Sequence, residues 1–168
     1  MIRTILVAYA SKYGSTREVA EVVAAGLTRH GLRVELREAG HVDSLEPFAG
    51  VVLGAGLYMG RAHGDARRFL RRHHEALAAR PLAVFGMGPD SMADEKVAGS
   101  RAQLDKALQP VPDVRPEAVA IFGGVVAPEK FRWPLSRLPA SDARDWDAIG
   151  KWADEVAELM ASRMATPA

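Results

Sequence analysis

The chain has 168 residues, 48% apolar and 26% charged, a balance that suits a soluble globular protein with a full-sized core. Its 22 lysines and arginines nearly match 21 aspartates and glutamates, and a formal charge of +1 argues against nucleic acid as a partner. Cysteine is absent, which excludes disulfides, thiolate metal sites, iron–sulfur clusters and cysteine nucleophiles.

Ile5-Leu6-Val7-Ala8 predicts the first strand: short, β-branched at Ile5 and Val7, and apolar on both faces, as inside a parallel sheet. Arg3 before it and Ala8-Tyr9-Ala10 at its end mimic a signal peptide, but the apolar stretch is too short for one. No run reaches the roughly 18 apolar residues of a membrane span, so no transmembrane segment is expected and the cytoplasm is the expected location. The segment Ser11-Lys12-Tyr13-Gly14-Ser15-Thr16 follows, then a helix with Val19, Ala20, Val22, Val23 and Leu27 at three- and four-residue steps. Gly31 is suited to stop that helix in the left-handed conformation.

Leu32 to Leu36 alternates apolar and charged residues, the pattern of a strand near the sheet edge, and residues 40–46 are a polar connection. Val51 to Ala55 is the third strand, opening into a loop that runs to Gly60. A helix is expected over 65–79, with Phe69, Leu70 and Leu77 inward and its arginines, His73 and His74 in solvent. Leu82 to Phe85 forms the fourth strand and ends in Gly86-Met87-Gly88-Pro89-Asp90. A helix over 97–108, a proline-punctuated linker and a fifth strand at Val119–Phe122 come next. Residues 127–143 read as irregular, and a helix over 146–160 closes the chain, with Ile149, Trp152, Ala153, Val156 and Leu159 inward.

Strands alternating with helices imply an α/β fold, one parallel sheet covered on both faces, in a single domain over residues 1–168. Ligands of such sheets sit beyond the carboxyl ends of the strands, where the loops 11–16, 54–60 and 86–90 converge. The first of these suits a phosphate. Its backbone N–H groups and the positive end of the following helix point at one spot, and Ser11, Ser15 and Thr16 carry hydroxyls. The alternative for Ser15 and Thr16 is plain helix capping. The segment lacks GxxxxGK[ST], and Met59 stands where a GxGxxG starting at Gly54 needs its last glycine, so a monophosphate is preferred over a triphosphate or pyrophosphate. His30 and His41 sit at turn positions, and nothing resembles a metal site or a Ser-His-Asp triad.

Ser11 to Thr16 resembles the phosphate loop of flavodoxins, [ST]-x-[ST]-G-x-[ST], with Tyr13 in place of one hydroxyl residue. Gly14-Ser15-Thr16-Arg17-Glu18 is similar to the branch that contains the quinone-dependent protoporphyrinogen oxidases. So are Gly60 with His63, Ile121-Phe122-Gly123-Gly124, Lys130-Phe131-Arg132-Trp133 and Asp145-Trp146. The resemblance implies a doubly wound five-stranded sheet of order 2-1-3-4-5 and FMN as cofactor. It implies that Ser11, Lys12, Tyr13, Gly14, Ser15 and Thr16 hold the phosphate. Gly56, Leu57, Tyr58, Met59 and Gly60 would cover one face of the isoalloxazine ring, with Tyr58 stacking and the Met59-Gly60 peptide near N5. Gly86, Met87, Gly88 and Pro89 would line the other face, and His63 would shuttle protons or stabilise reduced flavin. The branch's long basic insertion before the last helix is represented by only about a dozen residues, Pro134 to Asp145, with Arg137 and Arg144 as cations. The implied function is FMN-dependent redox chemistry, as an electron carrier or an oxidoreductase. A substrate pocket would fall to the segments 62–68 and 127–138, and the partners would be a redox protein, a quinone or a small-molecule substrate. A flavin-free α/β regulatory or interaction domain is the alternative.

Overall fold

The computed structural model describes residues 3–130, 132–137 and 139–165. Phe131 and Leu138, which fall in the segments singled out above, lie outside the described residues. The sheet has the order β2-β1-β3-β5-β6, from Arg33–Glu38, Thr4–Ala10, Phe48–Tyr58, Leu82–Met87 and Ala118–Phe122, all paired in parallel. This is the doubly wound order expected, with one addition. A two-residue strand, β4 (Arg61–Ala62), folds back antiparallel on the end of β3.

Alternation along the central strands feeds two cores, one on each face. Leu6, Ala8, Val51, Leu53, Leu82 and Val84 pack under α2 (Gly64–Arg72), α3 (His74–Ala78) and α4 (Asp94–Leu108). Ile5, Val7, Val52, Ala83 and Phe85 pack under α1 (Ser15–Arg29) and α5 (Trp146–Ala165). On the second face Phe85, Phe122 and Trp152 form a tilted and edge-on aromatic group with centroids 5.7–5.8 Å apart. Gly26 brings α1 and α5 together: a Cβ there would meet Ala153 Cβ at 2.8 Å. Gly31 has φ +84 and ends α1 as expected. On α5, Ala157 and Met160 are buried and Leu159 is only half-buried, so the inner face is rotated slightly from the expected one.

The helix expected over 65–79 is broken at His73, which belongs to neither α2 nor α3 and adopts φ −108, ψ 17. His73 is not in solvent. It is 7% exposed, its ring tilts against Phe69 at 4.9 Å, and its Nε2 lies 3.2 Å from the carbonyl oxygen of Val42. The residues 39–45 supply that partner, since Ala39, Val42 and Leu45 are buried beneath an otherwise polar connection. His74, one residue on, is half-buried and pairs with Asp113 at 2.8 Å.

These adjacent imidazoles are held on opposite sides of the ordinary value near 6.5: burial lowers His73, whereas the hydrogen bond that His74 donates to the Asp113 carboxylate raises His74. The unfolded chain takes a proton on His73 that the fold resists. Its contribution to stability is therefore present above about pH 6.5 and lost as pH falls toward the folded value. His74 contributes in the reverse sense, below about pH 6.5, and its share is lost as pH rises through its folded value. An NMR titration of the imidazole signals should show the two midpoints straddling 6.5. Midpoints on the same side would contradict the geometry.

Candidate functional site

The turn between β1 and α1 is closed by its own chemistry. Gly14 is the N-cap residue with φ +93, a conformation that costs a side-chain-bearing residue about 1–2 kcal/mol. Its N–H donates to Ser11 Oγ at 2.9 Å, and its carbonyl accepts from the Glu18 N–H at 3.1 Å. No side chain caps the helix, which rules out capping as the reason for Ser15 and Thr16. Thr16 is fully buried and its Oγ1 has no hydrogen-bond partner. A buried hydroxyl left unpaired is unfavourable by about 1–3 kcal/mol, so this atom, in the first turn of a 15-residue helix, is a standing demand for a ligand oxygen.

Beside the turn opens a cleft of about 230 Å³ at the carboxyl end of the sheet. Lys12, Tyr13 and Ser15 line it from the first turn, Leu57, Tyr58 and Met59 from the end of β3, and Met87 and Gly88 from the end of β5. The loop expected over 54–60 is mostly strand. β3 runs to Tyr58 because Leu57 pairs with Ala62 and Tyr58 with Arg61, leaving only Met59 and Gly60 as the hairpin turn. Both have positive φ, 50 and 80, as a two-residue hairpin turn of this hand requires. Gly86 and Met87 likewise remain in β5, opposite Ile121 and Phe122.

Tyr58 reaches across the cleft. Its hydroxyl lies 3.4 Å from the Lys12 amide, and its ring meets those of Tyr13 and His63 edge-on at 5.8 and 6.3 Å. Burial is the main reason its hydroxyl is held above the usual tyrosine value, partly countered by the Lys12 amide. Gly56 makes room for the ring, since a Cβ there would sit 2.6 Å from Tyr58 Cε2. His63 caps α2: its Nδ1 accepts from the Asp65 N–H at 3.0 Å. The neutral ring therefore carries its proton on Nε2, and that N–H is the group it can offer as a hydrogen-bond donor.

The far wall comes from residues for which the residue-level reading found no site. Gly124, Val125 and Val126 line the cleft at the end of β6. Val125–Val126 forms strand β7, paired antiparallel with β8 (Ser141–Asp142), so the segment expected to be irregular is a strap with a paired base. The strap is fastened to the first turn and to α1. Lys130 Nζ donates to the Tyr13 carbonyl at 2.9 Å, and Arg144 bonds Glu18 at 2.8 Å while gripping Asp142 at 2.7 Å and lying 4.7 Å over the Trp146 ring. The signal for this wall was Gly123-Gly124 at the end of the fifth strand, by the same strand-end rule that pointed to the other three loops.

Of the residues singled out in sequence, Lys12, Tyr13, Ser15, Leu57, Tyr58, Met59, Met87 and Gly88 therefore meet around one cleft. Ser11, Gly14 and Thr16 belong to the turn beside it without lining it, and Gly60 and Pro89 line a neighbouring depression. Gly56 and Gly86 lie within strands, where they relieve packing against Tyr58, Leu57 and Ile121.

Comparison with known proteins agrees with this geometry. The family described as "Flavodoxin domain" matches residues 6–136. The chain is 22% identical to protoporphyrinogen IX dehydrogenase [quinone] of Escherichia coli strain K12, over 92% of this chain and 94% of that protein. Among solved structures, oxidised Flavodoxin 2 from Bacillus cereus superposes with a TM-score of 0.58 at 23% identity, covering 95% of this chain and 98% of that one. A point mutant of the Pseudomonas aeruginosa flavodoxin gives 0.62 at 19% identity, covering 94% and 99%. Rubredoxin oxygen:oxidoreductase from Desulfovibrio gigas gives 0.65 at 14% identity, with 97% of this chain covering 37% of that larger one.

Proposed function

The chain belongs to the flavodoxin domain family, and from that premise we propose that it is an FMN-dependent redox protein whose cofactor occupies the cleft between Ser15 and Gly124. The observation that carries the reading is the buried, unpartnered Thr16 hydroxyl at the start of α1, next to a largely apolar slot. Thr16 and the amides of the first turn would hold the phosphate, with Ser11 and Ser15 able to donate their hydroxyl protons to it. Leu57, Tyr58, Met87, Val125 and Val126 would enclose the ring and exclude water from it. Bound FMN supplies the redox chemistry, and the protein supplies binding, orientation and tuning.

The exchange partner is proposed to be a quinone or a redox protein. The quinone appears in the name of the Escherichia coli relative, and Met59, 92% exposed at the cleft rim, offers an apolar contact for such a molecule. Among the described residues no helix is long and apolar enough to cross a membrane. The test is reconstitution with FMN. The complex should be yellow, and FMN at a hundredfold excess over its dissociation constant should stabilise the fold by about 2.7 kcal/mol. That corresponds to a rise of roughly 6–10 °C in melting temperature for a protein of this size. A flavin-free preparation that shows no shift with saturating FMN would favour the regulatory-domain alternative.

A further inference from the structure

On the other side of the Met59–Gly60 turn lies a second cavity, of about 450 Å³, between β4, α2 and the last turns of α4. Apart from Gln103, its polar side chains are cationic. Arg61 comes from β4, Arg67 and Arg71 from one face of α2, and Lys106 from α4. No carboxylate lines it, and among the described residues none of these four cations takes part in an ion pair. Their neighbours do: Arg68 pairs with Asp65, Arg72 with Asp43 and Arg101 with Asp105. In a chain with a formal charge of only +1, four unneutralised cations around one concavity leave a focused positive potential. Arg67 is also held in place, its Nε donating to the Ala62 carbonyl at 3.1 Å.

Two features point from this potential to a kind of ligand. Three of the four cations are arginines, whose planar forks match carboxylate and phosphate groups two bonds at a time. The cavity is also concave and within the size range of small-molecule sites, about 300–1,000 Å³, rather than the flat patch that suits a protein partner. Met59 lines both this cavity and the cleft, so the two adjoin at that side chain.

We propose that this cavity is the substrate subsite of the redox centre and binds a small molecule bearing two or more carboxylate or phosphate groups. The inference rests on the flavin reading of the adjoining cleft. Calorimetric titration of citrate and of pyrophosphate, into protein with and without saturating FMN, tests both anion chemistries. At least one should bind, and the double variant Arg71→Ala/Lys106→Ala should weaken it about tenfold or more. The charge-conserving Arg71→Lys/Lys106→Arg should weaken binding less than the alanine pair, the remaining loss being the bidentate fork that lysine cannot supply at position 71. FMN affinity, measured separately, should be unchanged in both variants. Binding of neither anion, or equal binding by the alanine variant, overturns the proposal. So does binding found only with an acidic protein. If citrate binds through Arg71 and Lys106 but FMN does not bind at all, the flavin reading and the substrate role fall together, leaving an anion site alone.

Discussion

FMN is expected to bind about a hundredfold more tightly than riboflavin, and Thr16→Val is expected to remove much of that difference without weakening the flavin-free fold. The first expectation follows from the turn between β1 and α1. Two hydrogen bonds to a charged phosphate, at about 1.5 kcal/mol each, amount to about 3 kcal/mol, or a factor near one hundred. The second follows from the state of Thr16. Its Oγ1 is buried and unpartnered, so its desolvation is uncompensated in the protein alone. Valine has nearly the same shape, keeps the β-branch and removes the unpaired oxygen. The flavin-free variant should therefore be more stable by about 1 kcal/mol, a rise of roughly 2–4 °C in melting temperature. FMN affinity should fall about tenfold, the share of one charge-assisted hydrogen bond. Opposite signs in the two measurements are the signature of a ligand-directed hydroxyl. Equal affinities for FMN and riboflavin, or a destabilised variant with unaltered FMN affinity, would place the phosphate elsewhere.

Gly123→Ala should produce the largest loss of stability among single substitutions around the cleft. A Cβ at this position would lie 2.0 Å from the carbonyl oxygen of Ala143 and 2.7 Å from its Cβ. The obstacle is backbone, so no flexible side chain can swing aside to relieve it. Ala143 is itself tied down, its N–H donating to the Gly124 carbonyl at 3.0 Å, while the Gly124 N–H donates to Pro89 at 2.8 Å. Moving Ala143 therefore pulls on the strap that carries Val125 and Val126 into the cleft. Overpacking of this kind costs about 3 kcal/mol, which corresponds to a fall of roughly 6–12 °C in melting temperature, and FMN affinity should drop with it. Gly99→Ala is the control. It lies in α4 with open space around it, and a helix-interior alanine there should be neutral or stabilising by up to about 1 kcal/mol. A Gly123→Ala protein as stable as Gly99→Ala would refute the close crossing.

Much of the site was legible because its signals are local. Ser11 to Thr16 sits between a both-faces-apolar strand and an amphipathic helix, and short-range periodicity is enough to place it at a strand end. Tyr58 and Met59 were placed in the same cleft by the same rule, although the extent of β3 was underestimated. The residues that continue it, Leu57 and Tyr58, gain their partners from Ala62 and Arg61, a pairing created by a turn that no repeat in the sequence announces. His73 shows a different limit. Its helical neighbours are charged, so local pattern put it in solvent, but the carbonyl of Val42 and the ring of Phe69 receive it inside.

The residues by themselves determined the order of strands and helices, the two-sided burial of the sheet and the position of the first turn. Each of these follows from backbone conformation and from the spacing of apolar side chains along the chain. Only the tertiary structure decided that Thr16 is buried with nothing to bond, that Gly124 to Val126 close the cleft, and that Arg61, Arg67, Arg71 and Lys106 surround one cavity without a carboxylate. Those properties depend on which distant segments lie together, and on which polar groups find partners there. Desolvation and electrostatic focusing act across space, whereas the periodicity that folds the chain acts along it.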